Sequence, residues 1–131
     1  MASRPLIKPF PVIGGTGPHA VSGDLSANIT SLPTIIDNLS MASYSLSWVG
    51  SSPSGAVNVQ VSNDYSENAD GTVRNAGTWN NLPLSISPFV SGNTGNGFID
   101  IDAQAGYALR LTFTYISGTG VLSALVTGKV T

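Results

Sequence analysis

The side chains that could carry out acid–base chemistry are few and widely spaced. His19 is the only histidine, in a Pro- and Gly-rich stretch without a neighbouring carboxylate or a nucleophile-elbow serine. General-base catalysis needs a group held rigidly within hydrogen-bond reach of its target. Asp100 and Asp102 share a strand face, but alternation makes Ile99 and Ile101 the buried set and leaves both carboxylates in solvent. We therefore predict a chain without catalytic residues that is not an enzyme.

Oxygen-bearing and aromatic side chains gather instead in two polar loops, which are the candidate ligand-binding segments. Residues 63–70 carry carboxylates and amides of the kind that calcium binds, since it takes about six to eight oxygen ligands. Their spacing matches no EF-hand, so a plain solvated loop is favoured; we predict no metal and no cofactor and keep calcium as the lesser alternative. Trp48 is predicted to lie in the core, whereas Trp79 suits either core packing or stacking on a sugar. The candidate ligand residues are Asn63, Asp64, Tyr65, Trp79 and Asn93.

The composition restricts the classes of partner. Only 9% of the 131 residues are charged, against about 25% in a typical protein, and five basic residues give no footprint for nucleic acid. A nearly uncharged surface favours association between copies, so we expect a homo-oligomer. No apolar run has the roughly 18 residues that a membrane span requires, so no membrane partner is expected. The absence of cysteine rules out disulfides and thiolate-bound zinc.

Residues 1–27 are predicted to form an extended N-terminal arm, followed by a single β-domain over residues 28–131. Four of the eight prolines lie within residues 1–18, where they disfavour helix and central strand. The arm is either a frayed terminus or a segment that lies on a neighbouring subunit. Its apolar side chains favour the second interpretation, since a solvated tail would not carry them. These assembly-arm residues are Leu6, Ile7, Phe10, Val12 and Ile13.

Beyond the arm, short alternating runs separated by turn residues indicate β-strands, and no window shows an apolar period of 3.6. A first strand over residues 29–36 is interrupted by a proline. Two antiparallel hairpins are predicted, one over residues 42–62 with a turn at 50–55, the other over residues 107–130 with a turn at 117–120. The predicted fold class is all-β, an antiparallel β-sandwich or jelly roll of about seven to eight strands.

Two segments resemble a known class of protein. Residues 47–64, SWVGSSPSGAVNVQVSND, followed by TWNNL at 78–82, look like a recurrent module of small β-sandwich virion proteins of bacteriophages. Residues 107–120, YALRLTFTYISGTG, resemble the final hairpin of those modules. The Ser-Asn-Asp loop and the tryptophan after it are also similar to galactose-binding-like, discoidin-type sandwiches, which hold a glycan or calcium in loops at one end.

The resemblance implies a virion structural protein of a bacterial virus. We expect a capsid decoration or cement protein that is made in the host cytoplasm, is located in the virion and stabilises the head through subunit contacts. Its expected partners are further copies of itself, with a trimer favoured, and the major capsid protein or other virion subunits. The alternative is a carbohydrate- or receptor-binding module of a phage fibre or spike that uses the loops at 63–79 and 91–97.

Overall fold

The computed structural model describes residues 6–17, 19–36, 41–82, 89–102 and 108–129, and within these ranges the chain forms ten strands and no helix. Accordingly, no helix there has the length and apolarity to cross a membrane. The ends of the predicted second hairpin, residues 107 and 130, lie outside the described ranges. The strands are β1 (Leu6–Ile13), β2 (Ile29–Thr30), β3 (Thr34–Ile35), β4 (Met41–Ser62), β5 (Ser66–Glu67), β6 (Val73–Asn75), β7 (Asn80–Asn81), β8 (Phe89–Val90), β9 (Thr94–Asp102) and β10 (Ala108–Lys129).

Two strands of 22 residues each, β4 and β10, organise the domain. They pair antiparallel from Met41 opposite Lys129 to Ser62 opposite Ala108, and each takes part in both halves of one eight-stranded sheet. In half I, β9 pairs with the first part of β4 and β1 with the last part of β10. In half II, β7 and β8 flank the rest of β4, and β2 and β3 flank the rest of β10. All these pairings are antiparallel, which confirms the predicted fold class.

The two predicted hairpins are wrong. Residues 42–62 do not fold back on themselves; they run alongside β10 as one continuous strand, and the described part of 107–130 is likewise one strand. The residues expected to form the two turns instead face each other in the ladder, with Ser51 opposite Thr119. Gly, Ser and Pro between two alternating runs suit a β-bulge as well as a turn, and in this chain the bulge forms.

This bulge reverses which alternate residues face the core. Buried residues in β4 are even-numbered up to Trp48 and odd-numbered at Val57 and Val59. In β10 they are odd-numbered from Leu109 to Phe113 and even-numbered from Leu122. Unbroken alternation cannot make that change, whereas one extra residue in each strand does. The two register shifts between Tyr115 and Thr119 place one extra residue in β10 and one in β4. The inner faces of both halves therefore contribute to a single hydrophobic core, as in a sandwich.

Close backbone contacts and one side chain stabilise the bulge. Gly118 has φ 85°, and a Cβ there would lie 2.1 Å from the carbonyl oxygen of Ser52, which itself has φ 50°. The Ser52 amide donates to Oδ1 of Asn93 at 2.8 Å, and the Gly50 amide donates to the Asn93 carbonyl at 2.8 Å. These bonds satisfy backbone groups that the irregular ladder leaves unpaired.

The first 27 residues are joined to the core. β1 is an edge strand of half I, where its prolines are tolerated, and it pairs with the last part of β10. Val12, Ile13 and Leu25 are each no more than 1% exposed. This corrects the assembly role expected for Val12 and Ile13: in this arrangement they pack inside their own chain and offer no surface to a neighbour. The boundary at residue 27 stays a prediction.

The other arm residues are placed only in part. Phe10 is half-buried, with its ring centroid 5.4 Å from that of the exposed His19. Leu6 and Ile7 belong to β1, and their side chains lie outside the described residues, so their assembly role stays a prediction.

Two further segments refine the sequence-based assignment. The strand expected over 29–36 is split into β2 and β3, as the proline predicted. The segment expected to be one long surface loop, residues 63–77, contains a small two-stranded sheet of β5 and β6.

Candidate functional site

An aromatic pair lies where β4 ends, next to the outer face of half II. The rings of Tyr65 and Trp79 are tilted by 51° with centroids 5.8 Å apart, and the Arg110 guanidinium carbon lies 4.3 Å from the Trp79 ring centroid. The indole N–H donates to the Ala76 carbonyl at 2.9 Å, and the Tyr65 hydroxyl donates to the carboxylate of Glu67. Trp79 is thus half-buried and held by an arginine stacked on it.

Asp64 holds the loop that carries Trp79. Its Oδ1 accepts the Thr78 amide at 2.6 Å and the Ser62 hydroxyl at 2.9 Å, and its Oδ2 accepts the Thr78 hydroxyl at 3.0 Å. The hydrogen bond from the Thr78 amide, followed by that from the Ser62 hydroxyl, lowers the pKa of Asp64 below its ordinary value. The carboxylate links two points 14 residues apart, so its role in this structure is to position the tryptophan.

The structure does not bring all the predicted ligand residues together. Asn63, Asp64, Tyr65 and Trp79 lie at the end of β4, whereas Asn93 bonds to Ser52 in the bulge. Ten residues of strand separate Ser52 from the end of β4, which corresponds to roughly 30 Å of chain. The two polar loops therefore act at opposite ends of half II.

The carboxylates of the 63–70 segment are engaged separately. Asp70 accepts the hydroxyl of Thr72 at 2.6 Å and its amide at 3.0 Å, which lowers the pKa of Asp70. Asp64 and Glu67 have the partners described above. Across the described ranges, no three His, Cys, Asp or Glu side chains gather in a group that could hold a metal ion.

The outer face of half II forms what we term the amide face, a polar depression of 270 Å³. Arg110 donates from Nε to Gln60 at 2.7 Å, and the Gln60 amide donates to Asn81 at 3.0 Å. The row crosses β10, β4 and β7 at positions that are direct neighbours in the sheet. The outward polar side chains of the amide face are Thr30, Asn58, Gln60, Asn81, Arg110, Thr112 and Thr114.

The outer face of half I has a different character, and we term it the serine face. Leu125, Ser45 and Phe98 are direct neighbours across β10, β4 and β9. Val121 and Val49 are also direct neighbours, four residues along β10 and β4 from that row. The four large residues are 41% to 64% exposed. Small hydroxyl and amide side chains fill the row between them: Ser47, Asn96 and Ser123.

Two residues of these faces escaped the sequence-based search. The contact of Arg110 with Trp79 arises because β10 pairs with β4 and β4 with β7, and the sequence pattern does not specify those partners. Phe98 lies directly before the buried Ile99, and this alternation is the signal that places Phe98 outward.

Comparison with known proteins finds distant likeness among solved structures alone. No family model matches the chain, and no curated protein matches it. Among solved structures, the fold is similar to that of the "SPBc2 prophage-derived protein YomS", with a TM-score of 0.44 and 10% sequence identity over 97% of this chain and 96% of that one. Likeness at this level assigns neither family nor function, so the resemblances to phage virion proteins and to galactose-binding-like sandwiches stay predictions.

Proposed function

We propose that this chain is a structural assembly protein of a bacterial virus, of the capsid decoration or cement type, and that copies of it associate through the serine face. The observation that carries the proposal is the exposure of Phe98, Leu125, Val49 and Val121 on one sheet face. Large apolar side chains exposed on one sheet face, with only small polar side chains between them, are typical of sites of protein association. The role needs contact area rather than catalysis.

The chemistry of the serine face favours a second copy of the same chain as its occupant. Between Val121 and Leu125 the outward side chains of β4, β9 and β10 are uncharged, so the centre of an identical face meets it without like-charge repulsion. The nearest carboxylates are Asp24, which bridges Val121, and Asp100, two residues along β9 from Phe98, and both lie at the rim. Serine side chains leave space beside Phe98 into which a partner's large residue fits. Depletion of charge with an exposed aromatic anchor is the composition found at interface centres.

The contact must extend over the whole outer face of half I. Four strands spaced about 4.8 Å apart, over about 30 Å of β10, give a projected area of roughly 600 Å². A stable interface covers about 800 Å² per partner, so the loops that flank the face must contribute as well. Burying Phe98 or Leu125 is worth about 2 kcal/mol each before the costs of association.

The test of this interface is the mass in solution. Light scattering over a concentration series is expected to show an oligomer, and Phe98→Ser with Leu125→Ser is expected to raise its dissociation constant at least about tenfold. Phe89→Ser is the matched control, because Phe89 is similarly exposed at 48% but lies on half II. A strict monomer, or equal effects of the two Phe→Ser changes, would overturn the serine-face interface.

Membership of a virus particle has its own test. Mass spectrometry of purified particles from a host that carries the gene should detect the chain in stoichiometric amounts, and the interface variant should be depleted from them. Particles that form and persist equally well without the chain would contradict a cement role.

A further inference from the structure

The amide face contains a cation, Arg110, whose contacts with the described residues leave its charge uncompensated. Arg110 bonds to the neutral Gln60 and stacks on the neutral Trp79, and these two contacts account for its interactions with the described residues. Arg110 is half-buried, and this partial loss of hydration lowers the pKa of its guanidinium from the ordinary value. A partly desolvated arginine without a carboxylate gains most from an anionic ligand, and its planar fork suits a carboxylate.

The guanidinium is held in one orientation. Gln60 accepts from Nε with its carbonyl oxygen and donates from its amide to Asn81, so the amide of Gln60 cannot flip without losing a bond. Trp79 supports the flat side of the guanidinium and is itself fixed by the Ala76 carbonyl. With Nε occupied, the two terminal nitrogens remain to bind a ligand. Such prior ordering reduces the entropy that binding must overcome.

The surroundings of Arg110 match a polyhydroxylated ligand. Thr112 and Asn58 are direct neighbours across the ladder, two residues along each strand from Arg110 and Gln60, and they line the same 270 Å³ depression. Amides and hydroxyls both donate and accept hydrogen bonds, as sugar hydroxyls do. The volume lies just below the range of about 300–1,000 Å³ that is usual for ligand sites, so it suits a single sugar ring at an open surface.

We propose that the amide face binds a saccharide that carries a carboxylate, with Arg110 pairing with the carboxylate and Asn58, Thr112 and Asn81 bonding the ring hydroxyls. Gln60 and Trp79 are positioning residues. This site lies on the opposite half of the sandwich from the serine face and does not depend on the proposed assembly function.

The binding test uses matched sugars. Isothermal calorimetry and amide chemical shifts are followed with tetragalacturonate and 3′-sialyllactose, against methyl-esterified tetragalacturonate, lactose and acetate. We expect an acidic sugar to bind with a dissociation constant of about 1 mM or below, to shift the amides of Asn58 and Thr112, and to bind at least about tenfold more tightly than its neutral counterpart. Equal binding of the neutral sugar, or of acetate alone, overturns the proposal, as does silence of both acidic sugars at about 10 mM.

Two variants test whether Arg110 supplies the positive charge that binds the acidic sugar. Arg110→Gln is expected to weaken binding of the acidic sugar at least about tenfold, whereas Arg74→Gln removes the same charge from the exposed β6 and is expected to change it less than about twofold. Asn58→Ala, which leaves the Arg110 contacts intact, should weaken acidic and neutral sugars equally. Unchanged binding by a folded Arg110→Gln protein would overturn the assignment; if that variant unfolds, the chemical-shift map of the unaltered chain decides.

Discussion

Tyr44 lies in the centre of the core with its ring and hydroxyl fully enclosed. Among the described residues the hydroxyl has no partner with hydrogen-bond geometry. Burial raises the pKa of Tyr44, and the nearby Thr34 side chain offsets only part of that rise. We expect Tyr44→Phe to change the free energy of unfolding by less than about 1 kcal/mol or to raise it, because the variant removes a desolvated, unsatisfied group. Tyr44→Ala, which leaves a cavity, should cost about 3–5 kcal/mol. Urea unfolding at pH 8 checks both.

The same residue predicts a dependence on alkaline pH. Burial raises the pKa of Tyr44 in the folded state above its ordinary value, so the hydroxyl is neutral in both states below about pH 10. Above that pH the unfolded chain ionises first, and stability falls by up to about 1.4 kcal/mol per pH unit from this group. Tyr44→Phe should lose less stability than the unaltered chain between about pH 10 and pH 11, and identical losses would contradict the assignment.

The polar residues show how far a sequence can specify a site. Asp64 and Asn93 were selected because their oxygens suit ligands, but both use those oxygens to hold the chain itself. Residue type alone cannot separate these two uses, since both satisfy hydrogen bonds. Trp79, for which the sequence predicts either core packing or stacking on a sugar, is half-buried, and its role in ligand stacking stays a prediction. Arg110 could not be paired with it, because the two are 31 positions apart and meet only through strand pairing.

At the scale of elements, the alternating pattern predicted which residues form strands but not the partners of those strands. A hairpin and a long ladder explain the alternating pattern of segments 42–62 and 107–130 equally well, because the two arrangements bury the same alternate residues within each short run. What distinguishes them is the change from even to odd burial, which depends on a bulge on each strand. A tight turn would have needed no match between the two segments, whereas in the bulge a Cβ at Gly50, Gly118 or Gly120 would collide with the backbone of the opposite strand.

The bulge predicts different costs for two glycines with similar backbone angles. Gly118 has φ 85° and lies against the Ser52 backbone, whereas Gly71 has φ 88° with open space around it. Gly71→Ala should cost only the left-handed penalty of about 1 kcal/mol. Gly118→Ala carries the same penalty plus a collision with backbone that cannot rotate away, so we expect at least about 2–3 kcal/mol. Denaturant midpoints of the two variants compare them directly, and equal losses would mean that the bulge yields at little cost.

At the scale of the whole molecule, the two halves share a core but differ on their outer faces. The serine face has exposed apolar anchors and uncharged small side chains, whereas the amide face has a fixed cation among amides and hydroxyls. The bulge switches burial between even- and odd-numbered residues, so the inner faces of both halves point into one core. The two outer faces therefore lie on opposite sides of the sandwich. A chain of this kind can join neighbouring copies with one side while the other remains open to solvent.

That separation predicts opposite responses to salt. Screening shortens the reach of charges from about 30 Å at 0.01 M to about 8 Å at 0.15 M ionic strength, which weakens pairing between Arg110 and an anionic sugar. Self-association through Phe98 and Leu125 involves no charge pair, and salts such as sulfate strengthen the burial of apolar surface. Between about 0.02 M and 0.5 M salt, the oligomer should therefore hold or tighten by light scattering, while calorimetry should show acidic-sugar affinity falling severalfold. An oligomer that dissociates as salt rises would instead place its contacts on charge pairs, for which Asp24 beside Val121 and Asp100 beyond Phe98 are the nearest carboxylates to the serine face.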